Sequence, residues 1–344
     1  MTSQTAIVFN DLATALKKQS LPILEPGKNQ ILIKVTAAGL NPLDQKIRDA
    51  PILLFVSKLP AVLSCDVAGI VVKAGENATR FPIGTHIFGQ SVRGLSAGGG
   101  LQEYTIFDER YASIVPADTS DLDATLLPTN VTTSAYSLFS AHGLNIPFPG
   151  TPESQNFDYK SQKIVIIGGG TNTGKLAIQL ARIAGIGTIV VTASVPGNDD
   201  LKQYGATHVI DRQASNVETQ VRDIVGDDLV YVYDTFNTDL SLAVSVLSNS
   251  KKGTVARIVP GPPVDPEAVA TVKKAGFEEK QVFGFANAIP EFGKLLFETL
   301  PRWVENGDLK PLPYNIIEGL DAEKINAALD GYKSGNYNKW QVRL

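Results

Sequence analysis

The chain has 344 residues, with 31 Lys and Arg against 35 Asp and Glu for a net charge of −4. That length is too great for one comfortable core, so two domains are expected, and an apolar share of 43% with 30 Gly and 20 Pro is that of a globular chain. There is no long basic run to attract a nucleic acid or an anionic membrane, and the lone cysteine, Cys65, excludes an internal disulfide scaffold.

No basic stretch leads into an apolar segment within residues 1–10, so no signal peptide is expected. The longest apolar runs, at 164–167 and 189–191, fall far short of the roughly 20 residues that a bilayer span requires. A reducing, aqueous compartment is the default expectation, and within it the cytoplasm. Residues 31–37 alternate apolar and polar as a half-buried strand does. Segments 67–73 and 83–88 look similar, with Gly39, Gly69, Gly75, Gly84 and Gly89 as punctuation. Short strands at close spacing predict a barrel-like or sandwich-like β domain. The character changes near Leu127: residues 133–142 have helical spacing, and the Pro/Gly/Ser-rich stretch 147–161 reads as a surface connection. From Lys163 onward strands are expected at 164–167, 188–192, 209–210, 229–233 and 253–259. Helices are expected at 174–184, 199–204, 217–225 and 240–247. This alternation predicts a doubly wound parallel sheet with helices on both faces. The tail offers an amphipathic segment at 292–306, an extended piece at 314–316, a helix at 322–332 and a strand at 340–344. Its strands are expected to return to the N-terminal domain.

The most informative stretch runs Ile164-Val-Ile-Ile-Gly168-Gly169-Gly170-Thr171-Asn172-Thr173-Gly174-Lys175. It is a G-x-G-x-x-G pattern out of perfect register, strengthened by its setting: a short apolar strand enters, a helix leaves, and a second strand follows one βα unit later. Glycines remove Cβ atoms where backbone approaches a pyrophosphate, and a helix N-terminus offers N–H groups to the anion. Gly170, Thr171, Asn172 and Thr173 are the candidate cradle, and Gly174 lets the helix sit close to the sheet. The alternative is a tight strand–helix turn with no ligand. At the end of the second strand, where the ribose 2′ position falls, stand Ser194, Val195, Pro196 and Gly197, with no acid before Asp199. A carboxylate there would bond a 2′-hydroxyl and repel a 2′-phosphate, whereas a small hydroxyl residue admits the phosphate. Lys202 or Arg212 would supply the positive charge. NADPH is favoured over NADH, unless Ser194 merely caps a turn. Asp234 ends the strand nearest the expected nicotinamide, as a cofactor contact or as a carboxylate capping its own loop. Pro260-Gly261-Pro262-Pro263 is a stiff, N–H-poor loop suited to flanking a ring or to an ordinary turn.

Further motifs follow one another in order: Gly39-Leu-Asn41-Pro42-Leu43-Asp44, Ser64-Cys65-Asp66-Val-Ala68-Gly69, Phe81-Pro-Ile-Gly84-Thr85-His-Ile-Phe88-Gly89 and Leu127-Pro128-Thr129-Asn-Val-Thr132-Thr133-Ser-Ala135. With the glycine turn and Val282-Phe283-Gly284, they resemble the medium-chain dehydrogenase/reductase superfamily over essentially the whole chain. The resemblance is greatest to its zinc-independent, quinone oxidoreductase-like branch and, within that, to fungal trans-acting enoyl reductases. It implies an α/β chain with a GroES-like, partly open β-barrel catalytic domain (1–127 and 287–344, discontinuous) and a Rossmann NADP(H)-binding domain (128–286). It also implies that Asn41, Pro42, Leu43 and Asp44 lie beside the nicotinamide and ribose. Residues 170–173 would hold the pyrophosphate and 194–197 the 2′-phosphate. Val259 and Pro260 would face the nicotinamide, and residues 282–286, with Val282, Phe283 and Gly284 as the candidate site residues, would line substrate and cofactor.

The chain departs from zinc alcohol dehydrogenases: Asn41 stands near the first ligand position and Cys65 at the histidine position, while His86, His142 and His208 are scattered, so metal catalysis is not expected. Arg212 replaces a tyrosine common in related enoyl reductases, and the tail turn Gly335-Asn336-Tyr337-Asn338-Lys339 lacks the relatives' Ser-Gly. Without a strong Lewis acid, reduction of an activated C=C bond is easier than that of a carbonyl. The expected function is therefore an NADPH-dependent enoyl or enone reductase of the kind used in secondary metabolism, with Asn41, Thr133 and Tyr136 as candidate donors and a small hydrophobic unsaturated carbonyl compound as substrate. Tyr136 and Cys65 have packing as their alternative. A quinone or aldehyde reductase on the same frame stays open, as does a catalytically altered dinucleotide-binding accessory protein docked to a biosynthetic synthase. Monomer and homodimer are equally open. Phe55, Phe139, Phe148 and Phe285 suggest an apolar pocket or, equally, core.

Overall fold

The alternating run near residue 31 belongs to a longer strand, Gln30–Leu40, on which the first half of the molecule is built. The computed structural model describes residues 3–50, 59–91, 98–194, 200–269 and 271–344. Its contacts divide the chain into two units: Met1–Thr129 with Phe285–Gly307 and Pro311–Leu344, and Asn130–Gly284 with Asp308–Lys310.

In the first unit the strands are β1 (Ser3–Phe9), β2 (Lys17–Pro22), β3 (Gln30–Leu40), β4 (Ala61–Val62), β5 (Asp66–Ala74), β6 (His86–Gln90), β7 (Tyr104–Asp108), β8 (Ala112–Ile114), β15 (Asn315–Glu318) and β16 (Trp340–Arg343). Its helices are α1 (Pro42–Asp49), α2 (Asp121–Ala124), α9 (Pro290–Glu305) and α10 (Ala322–Lys333), while α3 (Pro128–Phe139) runs on into the second unit. The main sheet has the order β15-β16-β3-β5-β6-β8, with β7 also on β3, and β2-β1-β4 form a smaller sheet. Register shifts between Leu32 and Ile33 and between Val35 and Ala37 are bulges that bend β3 toward closure. Ile31, Ile33, Val67, Val71, Ile87 and Phe107 fill one core. α10 places Ile325, Ala328, Leu329 and Tyr332 on one face at helical spacing, buried in a second core with Phe9, Leu40 and Val342. β16 lies antiparallel to β3 with Trp340 opposite Leu40, which brings the tail beside the Asn41 motif. β2, a charged strand without an apolar run, was not expected.

The second unit alternates β9 (Lys163–Ile167), α4 (Asn172–Ala184), β10 (Thr188–Ala193), α5 (Asp200–Tyr204), β11 (His208–Asp211), α6 (Val217–Val225), β12 (Tyr231–Asp234), α7 (Ser241–Val246), β13 (Gly253–Arg257), α8 (Pro266–Val269) and β14 (Phe277–Gln281). The sheet order is β11-β10-β9-β12-β13-β14, with every pairing parallel. This is the doubly wound order with its reversal between β9 and β12. β9 and β10 are buried along nearly their whole length, as central parallel strands are. β14, Phe-Glu-Glu-Lys-Gln, has no apolar run because it is a half-exposed edge, and it was missed for that reason.

The fold class is thus the one the resemblance implied. Among the described residues no helix is long and apolar enough to cross a membrane. The aromatic residues considered for a pocket belong to packing: Phe139 and Phe148 are buried edge to face at 5.5 Å, and Phe285 lies in the first unit's core. Phe55 lies outside the described residues.

Candidate active site

In the second unit β9 runs into Gly168, which has φ +79°, in the left-handed region that favours glycine. Gly168 and Gly169 donate their N–H groups to Thr192 O on β10 (3.1 and 3.0 Å). Thr235, just past β12, clamps the turn from the other side. Its hydroxyl lies 3.0 Å from Ile167 O, 2.9 Å from Gly168 O and 3.0 Å from the Thr171 hydroxyl. A Cβ on Gly168 would stand 2.5 Å from the Thr235 Oγ1, and one on Gly169 would stand 2.0 Å from Val191 Cγ1. A Cβ on Gly174 would meet Gly168 O at 2.5 Å. Close packing of the turn on its own sheet therefore demands these three glycines. Gly170 is exposed, and Thr171, Asn172 and Thr173 are half-buried at the start of α4, which Thr171 caps through Gly174 N–H (3.0 Å). The first-turn amides of a helix lack intrahelical acceptors, so this end favours an anion.

Ser194 and Arg212 are 18 positions apart, yet Arg212 Nε donates to Ser194 Oγ at 2.9 Å. They meet because β10 and β11 are parallel neighbours with Ala193 opposite Asp211. Arg212 is exposed and Ser194 half-buried. Lys202 is exposed on α5, whereas Lys175 is bound to Asp200 (2.8 Å) and leans over the Tyr204 ring. Burial, with Asp200 beside it, pushes the Tyr204 phenol up to about 12. Val195, Pro196 and Gly197 lie outside the described residues.

The end of β12 is occupied by Asp234, 1% exposed. One carboxylate oxygen accepts from Phe236 N and Asn237 N (2.9 and 2.8 Å), the other from Asn237 Nδ2 (3.0 Å). The carboxylate is thus engaged in fixing its own turn, as the capping alternative has it. Burial raises its pKa, and those donors oppose the rise. Val259 is half-buried, Pro260 and Phe283 are exposed, and Val282 is buried. Gly284 has no room for a side chain: a Cβ would fall 1.9 Å from the Thr133 hydroxyl. Thr133 and Gly284 are thus in contact, with Thr133 half-buried; Tyr136, one turn along α3, is 1% exposed and sits in the core.

The first unit contains a different polar cluster. Asn41, 4% exposed, donates Nδ2–H to Asp66 (2.7 Å) and accepts from Lys339 Nζ at its Oδ1 (2.8 Å). Lys339 also donates to Leu40 O (3.0 Å) and lies 3.8 Å from Asp66. Thr129 N–H completes the Asp66 carboxylate (2.7 Å). Asp44 accepts from Asn41 N (2.7 Å) and Ser64 N (2.8 Å), which makes it the reciprocal cap of α1, with Pro42 in the first turn. Leu43 is half-buried against the core. Burial pushes the Asp44 carboxyl up to about 6, with Asp66 adding to the shift and the two backbone donors and Lys339 opposing it. Burial likewise raises Asp66 and lowers Lys339, each countered by the other's charge. Cys65 lies against the same core, and burial, then Asp44 and Asp66, push its thiol well above the usual range.

Sequence reasoning missed Thr235, Lys339 as a partner of Asn41, and Arg257. The last had a visible signal: a charged residue inside an otherwise apolar strand must be paired.

A doubly wound parallel sheet with a glycine turn at its reversal point, in one chain with a bulged, mainly antiparallel sheet, is the architecture of a dinucleotide-dependent oxidoreductase. The alcohol dehydrogenase GroES-like domain family matches residues 27–117, and the zinc-binding dehydrogenase family matches residues 173–297. The trans-enoyl reductase grgB of Penicillium sp is 28% identical across 92% of this chain and 91% of its own. An alcohol dehydrogenase superfamily protein from Novosphingobium aromaticivorans superposes with a TM-score of 0.83 at 23% identity, covering 99% of both chains. Mycobacterial Rv1454c, solved as a complex with NADPH, does so with a TM-score of 0.78 at 20% identity, covering 99% of this chain and 100% of its own. The chain is an oxidoreductase of the medium-chain dehydrogenase/reductase superfamily.

Proposed function

We propose that the chain is an NADPH-dependent, zinc-free enoyl reductase acting on a small, hydrophobic α,β-unsaturated carbonyl compound of secondary metabolism. The observation that carries the cofactor reading is the Arg212–Ser194 bond at the end of β10. A cation and a neutral hydroxyl at the end of the second strand, where a 2′-hydroxyl-specific site has a carboxylate, support the NADPH reading. Gly170 to Thr173 at the start of α4 take the pyrophosphate, and Val259, Pro260, Val282 and Phe283 take the nicotinamide end. The reading of the substrate is supported by similarity to the Penicillium trans-enoyl reductase over nearly the full length of both chains.

A reduced nicotinamide supplies hydride, which a conjugated C=C bond accepts at its β-carbon. The chain's part is to hold the reacting atoms together and to place a donor near the carbonyl oxygen as charge develops on it. Of the three candidates we favour Thr133, because it is half-buried against Gly284 in the segment read as lining substrate and cofactor. Tyr136 is enclosed in packing, and the Asn41 amide is engaged by Asp66 and Lys339. The zinc-free reading is supported by the donors themselves. The Asn41 amide, near the first ligand position, is engaged by Asp66 and faces the Lys339 ammonium at 2.8 Å, a cation that would repel a metal ion.

The test is NADPH consumption by the purified chain with a crotonyl thioester, a simple enone, a quinone and an aldehyde, with and without a chelator. Turnover of the thioester and enone, unaffected by chelation, is expected. Tight NADPH binding with no turnover of any of the four would replace this reading with the accessory role.

A further inference from the structure

We infer that Arg257 is a positioning residue for the nicotinamide end of the dinucleotide, an inference that rests on the cofactor reading above. Arg257 is the last residue of β13 and is 0% exposed, among the largest fully buried side chains in the molecule. Its Nε donates to Val259 O (2.8 Å), its Nη1 to Glu279 Oε1 (2.9 Å) and Pro262 O (3.3 Å), and its Nη2 to Thr238 O (2.7 Å). One guanidinium thus ties together the loop after β12, the loop after β13 and strand β14.

The loop sequence answers to this role. Pro260, Pro262 and Pro263 have no N–H to offer, so the segment is fixed through its carbonyls, and two of these point at Arg257. At Gly261 a Cβ would stand 2.2 Å from Thr238 O and 2.3 Å from Arg257 Nη2, so only glycine lets the two loops close on the guanidinium. Packing alone does not fix the loop, because Pro262 and Pro263 border a pocket of about 480 Å³ that Leu240, Val244, Val264 and Val269 also line. Gln281 adds a second brace, donating to Arg257 O and Ile258 O (3.3 and 3.1 Å). The position of Val259 and Pro260 is therefore set by a planar fork of donors, which an ammonium cannot reproduce. A charge buried without sight of solvent is costly unless it is paired and its donors are satisfied, and here Glu279 and three loop carbonyls do both, which ties the stability of the guanidinium to the position of the loops.

The test compares the full-length wild type with R257K and E279Q. Calorimetry measures adenosine 2′,5′-bisphosphate and NADPH binding, and steady-state kinetics measure kcat and KM with a crotonyl thioester. In R257K the bisphosphate is expected to bind within about twofold of wild type, since its site is distant from the loop. kcat/KM for NADPH should fall by roughly tenfold or more, as a misplaced ring requires. E279Q, which alters only one of the bonds and carries the argument if R257K does not fold, should shift the same quantity by about threefold in the same direction. Wild-type values in both variants, or equal losses of bisphosphate and NADPH, would overturn the inference. A wild type that binds neither ligand overturns the cofactor reading itself.

Discussion

The glycine turn of the second unit and the Asn41 cluster of the first are both buried polar arrangements fixed by backbone groups, but the chain encodes them in opposite ways. The turn is one continuous stretch, Gly168 to Lys175, pinned from outside by Thr235 and Thr192. The cluster draws on Leu40, Asn41, Asp44, Ser64, Asp66, Thr129 and Lys339, distributed from one end of the chain to the other. The turn tolerates no added volume, and the cluster tolerates no missing charge. Each kind of intolerance can be tested by substitution.

The largest effect is expected in the cluster. Lys339→Met leaves Asp66 and Asp44 buried with no cation beside them and should destabilise the first unit by about 3–5 kcal/mol. Denaturant unfolding followed by tryptophan fluorescence reports on that unit, because Trp303 and Trp340 both lie in it. Adding Asp66→Asn should restore part of the loss. A cost below about 1 kcal/mol would mean that the ammonium is not what holds the two carboxylates.

The next effect sharpens the other side of the comparison. Gly168→Ala combines a left-handed backbone with a Cβ 2.5 Å from the Thr235 hydroxyl, and about 2–4 kcal/mol is expected. Gly185 (φ +89°, ψ +20°) is also left-handed and its Cβ position has only an ordinary contact, 3.7 Å from Tyr159 Cβ, so Gly185→Ala carries the backbone cost nearly alone, about 1 kcal/mol. Equal effects at the two positions would show that the conformation of the turn, not its packing, demands the glycine.

A smaller effect concerns pH. Asp44 has a folded pKa of about 6, above the ordinary 3.8, so the folded chain holds this proton more tightly than the unfolded chain between those values. Stability from this group is therefore greatest at the acid end and declines as pH rises from about 4 to about 6, by about 3 kcal/mol. The Asp66 carboxylate and the Lys339 ammonium face the same group, so the useful quantity is the difference between wild type and Asp44→Asn. That difference should vary across the window and be flat outside it. Urea unfolding at a series of pH values measures it, and a flat difference throughout would contradict the raised pKa.

These contrasts also explain what could be read from the chain. The parallel sheet was legible because β9 and β10 are continuous apolar runs separated by a helix, and the turn because its glycines are adjacent. The edge strands β2 and β14 were not, since a charged edge lacks apolar periodicity. The triglycine run also serves packing: Gly168 and Gly169 answer to Thr235 and Val191 inside the protein, and Gly170 with the α4 amides is the part open to a ligand. Lys339 and Asn41 are nearly 300 positions apart and meet only because β16 pairs with β3. Arg257 needed two loops and strand β14 brought together to show what it binds.

The smallest effect is expected at the edge of the second unit, where the cofactor reading is most exposed to refutation. Arg212 is on the surface, so a contact with a 2′-phosphate is partly screened by water and salt and is worth about 1 kcal/mol rather than several. Its Nε is already bonded to Ser194, which holds the guanidinium over the end of β10 and leaves the outer nitrogens as the donors for a phosphate. Arg212→Ala should therefore lower the preference for NADPH over NADH, taken as the ratio of kcat/KM values, by about fivefold, leaving the NADH value nearly unchanged. Ser194→Asp should act more strongly in the same direction, because it puts a carboxylate where the 2′-phosphate would lie and offers an acceptor to a 2′-hydroxyl. If both variants keep the wild-type ratio, the 2′ position is not read at this edge, and the choice between the two dinucleotides must be made elsewhere in the second unit.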